Sequence, residues 1–136
     1  VKTLISVRNV MLFSLAAEGA TGLVVALAPG LVAELLFGSD VAGAGVAYGR
    51  LLGMSLLALA IACWPSADAV VRPALHAILG YNLLAAVYLA YLGAAQRPAG
   101  ILLWPAVAEH ALAALLLATR TRNARPAMAA RQQVDA

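Results

Sequence analysis

A chain of 136 residues is one domain's worth of sequence, yet 64% of it is hydrophobic and only 11% is charged, with a mean hydropathy of +0.92. Soluble domains run near half apolar and a quarter charged, so this composition leaves too little polar surface to cover a core in water and places the chain in a bilayer. The net charge of +3 does not point to nucleic acid, because Arg120, Arg122, Arg125 and Arg131 lie in the tail, where a membrane protein carries its topology signal.

Crossing about 30 Å of hydrocarbon takes roughly 20 apolar residues in a helix. Four runs meet this requirement, at residues 10–28, 46–64, 74–93 and 101–119. Pro29-Gly30, Trp64-Pro65-Ser66, Arg72-Pro73 and Gln96-Arg97-Pro98 punctuate them, and proline with glycine is what ends a helix. The short second and third connections make neighbouring helices antiparallel. The pattern therefore predicts an all-α integral membrane fold, four transmembrane helices in an antiparallel bundle. In the longer first connection, Leu31 to Phe37 is amphipathic enough to form a short interfacial helix.

Ala26-Leu27-Ala28 looks like a signal-peptidase site, but Pro29 directly after it blocks cleavage and an acid within the apolar run is atypical of secretory signals, so the first span is expected to be retained. Lys2, Arg8, Arg72 and the four tail arginines fall on one side of the predicted topology, against Arg50 and Arg97 on the other. This places both termini in the cytoplasm, with Trp64 and Trp104 at opposite interfaces. Residues 120–136 have no apolar period and read as a basic cytoplasmic tail, disordered or lying on anionic headgroups.

An ionisable side chain at the centre of a transmembrane helix costs roughly 2.5 to 3.5 kcal/mol on insertion scales, so each one needs an explanation. Glu18, Asn82 and the pair Glu109 and His110 fall near the middle of three different spans, and a common depth suggests one shared polar pocket. Arg50 lies about 8 Å outward of the middle of its span, within reach of a carboxylate. Tyr81, Tyr88 and Tyr91 add hydroxyls along the third span. Ser14, Glu18 and Gly22, four residues apart, put the acid on a small, close-approach face. Gly45, Gly49 and Gly53 form a second such face, suited to packing within the bundle or to a homo-oligomer. Glu109 and His110 diverge by about 100° around their helix, which predicts that they do not face the same partner.

Each group also has a purely architectural reading. Glu18 and Arg50 can form a buried ion pair, Glu109 can bond across helices to Asn82, and His110 can make a plain interhelical hydrogen bond. His76 sits near the cytoplasmic face, where a histidine needs no function. A bis-histidine haem needs axial ligands at nearly one depth, whereas His76 is about 11 Å from the midplane and His110 is near it, so His76 and His110 do not meet that requirement. Cys63, the single cysteine, stands beside Trp64 with no CxxC and no histidine at metal spacing, and reads as a packing thiol. No cofactor and no metal are expected from this pattern.

The segments "GLVVALAPGLVAELLFG" and "YGRLLGMSLLALAIACW" carry Ala28-Pro29, Phe37-Gly38 and Arg50 with Gly53. In these features the first half of the chain resembles small four-span bacterial membrane proteins of the DoxX-like group, whose named members include membrane subunits associated with sulfur or quinone redox complexes. Ala17-Glu18 with Gly22 is also similar to the essential acid of helix one in small multidrug-resistance transporters, though Arg50, Glu109 and His110 depart from that family's nearly charge-free interior. The leading expectation is a non-enzymatic membrane protein whose polar midplane pocket binds a lipophilic ligand, or which serves as an accessory subunit of a membrane complex, with lipid as its surroundings. The alternatives are a proton-coupled transporter using Glu18 or Glu109, and an acid–base enzyme using Glu18, Glu109 and His110 on a lipid-like substrate.

Overall fold

The computed structural model describes the backbone of residues 6–65, 72–95 and 99–134, and side chains as far as residue 119. Lys2, Arg97 and the second connection at residues 66–71 lie outside the described residues, as do the side chains of the four tail arginines. Among the described residues every regular element is a helix: α1 (Val7–Leu27), α2 (Pro29–Phe37), α3 (Ala44–Ala62), α4 (Arg72–Ala95) and α5 (Leu103–Val134). Three of these, α1, α3 and α4, are long and apolar enough to cross a membrane, while the apolar part of α5, Leu103–Thr119, is shorter.

Local chemistry sets the boundaries. Ser6 Oγ accepts from the Asn9 amide at 3.1 Å and caps the start of α1. Pro29 cannot donate to α1, so it ends that helix and opens α2 at the first helical position, where its missing N–H costs nothing. Gly38, at φ 66°, closes α2 in the left-handed conformation. Two orphan carbonyls of α2 then find donors in the connection leading to α5: Gly100 N–H donates to Leu36 O at 3.0 Å and Leu102 N–H to Leu35 O at 2.9 Å. The backbone of the basic tail continues α5 as helix through Val134. Ala, Arg, Gln and Met are strong helix formers, and extending an existing helix avoids the cost of nucleation.

α1 is the central element and touches each of the other four helices; its most extensive partner is α3, as α5 is for α4. The small-residue faces set the α1–α3 register. A Cβ at Gly53 would strike the Ala26 nitrogen and the Gly22 carbonyl, and one at Gly22 would come within 2.8 Å of the Gly53 carbonyl. Further along, Gly49 lies against Pro29 and Gly19 against Ala60, so α1 and α3 run antiparallel with their backbones in close approach. Gly49 and Gly53 are therefore taken up by contacts inside the chain.

Beside this seam Val10, Met11, Leu15, Cys63, Leu75, Ile78 and Leu117 form the apolar core. The outside of the molecule is as apolar as this interior. Ile61, Leu84 and Ile101 are each more than 70% exposed, whereas Ser14, Glu18, Asn82 and His110 are buried. Polar inside and apolar outside inverts the soluble pattern and suits a lipid surround.

Candidate functional site

The buried polar residues meet in one cluster at mid-helix. Helix α1 contributes Ser14 and Glu18, which share a face because they are four residues apart. Helix α4 contributes Tyr81 and Asn82, and α5 contributes Glu109 and His110.

Asn82 is fully buried and holds the three helices together. Its Nδ2 donates to Ile78 O on its own helix at 2.8 Å and to Ser14 Oγ on α1 at 3.0 Å. A carbonyl can only accept, so the bond to Ile78 fixes which way the amide points and turns Oδ1 toward α5. There Oδ1 lies 3.0 Å from His110 Nδ1. For that contact to be a hydrogen bond, Nδ1 carries the proton.

Glu18 is 2% exposed. Its Oε2 accepts from the Tyr81 hydroxyl at 2.9 Å, and its Oε1 stands 3.4 Å from His110 Nδ1. Glu109, less buried, brings Oε2 to 3.3 Å from the same nitrogen. The Tyr81 ring meets the His110 ring edge to face with centroids 5.7 Å apart, which fixes the imidazole plane. Glu18 Oε1 and Glu109 Oε1 are buried with no hydrogen-bond partner among the described residues. An acid in a low-dielectric interior is stabilised by the donors around it, and here two carboxyl groups share one tyrosine hydroxyl and one imidazole.

Of the residues singled out from the sequence, Glu18, Tyr81, Asn82, Glu109 and His110 thus lie together. Two details correct the sequence reading. Glu109 and His110 do reach a common neighbour, Glu18, because two flexible side chains close a divergence that their Cα positions open. Asn82 bonds to His110 and Ser14 rather than to Glu109. Ser14 was missed as a functional partner, although its position one turn from Glu18 was the available signal.

Arg50 stands apart. It is exposed on α3, with no ion pair among the described residues. Gly49 packs on Pro29, so Arg50 lies near the junction of α1 and α2, about 15 Å along the helix direction from Glu18. Arg50→Ala should therefore change stability by no more than about 0.5 kcal/mol in detergent unfolding. A loss of about 3 kcal/mol or more would instead reveal a buried pair with Glu18. Tyr88, Tyr91 and His76 are also exposed, and His76 lies about 9 Å along α4 from Asn82.

A cavity of about 360 Å³ lies at the end of α3 and the start of α4, lined by Ala62, Cys63, Trp64, Pro65, Pro73, Ala74 and Ala77. It is apolar, and none of the cluster's residues lines it. Ala74, Ala77 and Tyr81 nevertheless follow one face of α4, and Ala77 is one turn from Tyr81. Comparison of the chain with known protein families, with curated proteins and with solved structures finds no match, so the functional reading is carried by the cluster's own geometry.

Proposed function

We propose that this chain is a four-span protein of the bacterial inner membrane, with both termini cytoplasmic, whose mid-bilayer cluster binds a small lipophilic ligand, alone or as an accessory subunit of a membrane complex. Leu103–Thr119 with the preceding exposed Ile101 and Leu102 supplies the fourth span, and Arg8 and Arg72 begin α1 and α4 at the cytoplasmic end. The resemblance of the first half of the chain to DoxX-like proteins accords with an accessory role.

The observation that carries this reading is Glu18, buried on the central helix with Oε1 lacking a partner. A polar group kept only for architecture is stabilised by satisfying all of its bonds, because each bare oxygen costs about 1 to 3 kcal/mol. Two acids with too few donors suit a ligand head that donates hydrogen bonds or carries positive charge. The apolar cavity beside Ala74 and Ala77 can hold its body, which brings the head within a turn of Tyr81. The expected result is that a small molecule copurifies with the wild-type protein and is absent from Glu18→Gln of equal helicity, as read by mass spectrometry of the solvent extract. Equal recovery from both proteins would refute the reading.

A second reading, proton-coupled transport, is favoured by His110 Nδ1 lying within 3.4 Å of carboxylates on both α1 and α5. A proton can pass between those acids through one imidazole. In proteoliposomes with an imposed pH gradient, transport requires that Glu18→Gln abolish proton uptake while the protein remains folded.

A further inference from the structure

The atoms around His110 form a donor set that hydrogen bonding leaves incomplete. Asn82 Oδ1 lies 3.0 Å from Nδ1, Glu109 Oε2 3.3 Å and Glu18 Oε1 3.4 Å. A single Nδ1 proton cannot serve three oxygens. Glu18 Oε1 is left without a hydrogen bond on a side chain only 3% exposed, and it stands 3.4 Å from His110 Nδ1.

Spacing and charge narrow what belongs there. One ligand atom each from Glu18, Glu109 and His110 can be chosen so that all lie within 4.8 Å of one another. A tetrahedral ion with bonds of about 2.0 to 2.2 Å holds its ligands about 3.3 to 3.6 Å apart, close to the separations of the two carboxylate oxygens from Nδ1. Two carboxylates and a divalent ion sum to zero charge, the condition under which a low-dielectric interior tolerates ions. Arg50 is exposed and about 15 Å away, so it does not supply that balance. One imidazole nitrogen with carboxylate and amide oxygens suits a first-row transition ion; magnesium and calcium prefer six or more oxygens.

We infer that Glu18, Glu109 and His110, with Asn82 Oδ1 as a fourth donor, form a mid-bilayer site for a divalent transition-metal cation of the zinc type. The inference rests on the reading of this cluster as a binding site and names one ligand class for it. Binding moves the His110 proton from Nδ1 to Nε2, freeing the Nδ1 lone pair for the metal. The sequence carries no metal box because the donors come from three helices, α1, α4 and α5.

The test is a titration of the full chain, purified in detergent and stripped with chelator, with Co²⁺ as a visible probe. Saturation at one equivalent is expected, with the strong absorption of a tetrahedral site, displacement by Zn²⁺ and no displacement by Mg²⁺. Glu18→Gln and His110→Gln should each weaken binding at least about tenfold, and Asn82→Asp, which adds an anionic oxygen, should retain or tighten it. If His110→Gln does not fold, Glu109→Gln, at a less buried position, supplies the same comparison. Absence of saturable Co²⁺ and Zn²⁺ binding overturns the metal inference, as does binding unchanged in the variants. If the copurifying molecule still depends on Glu18 in that case, only the metal assignment falls; if it does not, the binding-site reading falls with it.

Discussion

Gly53→Ala should lose about 3 kcal/mol of stability, the upper end of what overpacking costs. The new Cβ would fall on the Ala26 nitrogen and the Gly22 carbonyl, both backbone, so no side-chain rotation relieves the clash and α1 must move from α3. Overpacking costs about 1 to 3 kcal/mol where side chains can adjust, and the upper end applies where they cannot. Gly80→Ala is the matched control, because a Cβ there meets nothing within 4 Å and alanine is the better helix former. Unfolding both variants in mixed micelles, followed by far-ultraviolet circular dichroism, should show a loss for Gly53→Ala and none for Gly80→Ala. Equal stability of the two would mean that α1 and α3 are not in close backbone approach at Gly22 and Gly53.

The second large effect is expected at Asn82. Asn82→Leu removes the bond to Ser14 at 3.0 Å and the contact with His110 at 3.0 Å, leaving the buried Ser14 hydroxyl without its donor and the imidazole with only the two carboxyl groups beside it. Interhelical hydrogen bonds in membranes average about 0.6 kcal/mol and reach about 1.7, so losing two predicts a destabilisation of about 1 to 3 kcal/mol. Ser14→Ala should cost less, and the double variant should cost less than the sum, because both changes break the same bond. Asn82→Leu should also release the copurifying molecule, since His110 loses the partner that orients it. A variant that keeps full stability and full occupancy would show that the amide does not organise the cluster.

How far the sequence reached depends on what kind of information each feature needs. Hydropathy and proline placement located the helices, because apolar length and the missing N–H of Pro29 act locally. Depth along each helix brought Glu18, Asn82 and His110 to one level, since position in a span is readable from counting at 1.5 Å per residue. Register between helices is not readable in that way. The glycine faces of α1 and α3 were visible, but which glycine meets which carbonyl is decided by three-dimensional packing, and that match is what carries Arg50 away from Glu18. Side-chain reach was misjudged for Glu109, where flexible bonds offset the angle between adjacent Cα positions. The tail was read from its lack of apolar period, whereas helix propensity and continuity with α5 decide its backbone.

Whether the buried cluster at the middle of the helices binds a ligand is read from a density map of the protein purified from its native membrane and held in lipid nanodiscs. Non-protein density is expected within bonding distance of Glu18 Oε1, bounded by Glu109, His110 and Tyr81. Clean protein-to-protein contacts there, with both acids fully satisfied by side chains and no additional density, would contradict it.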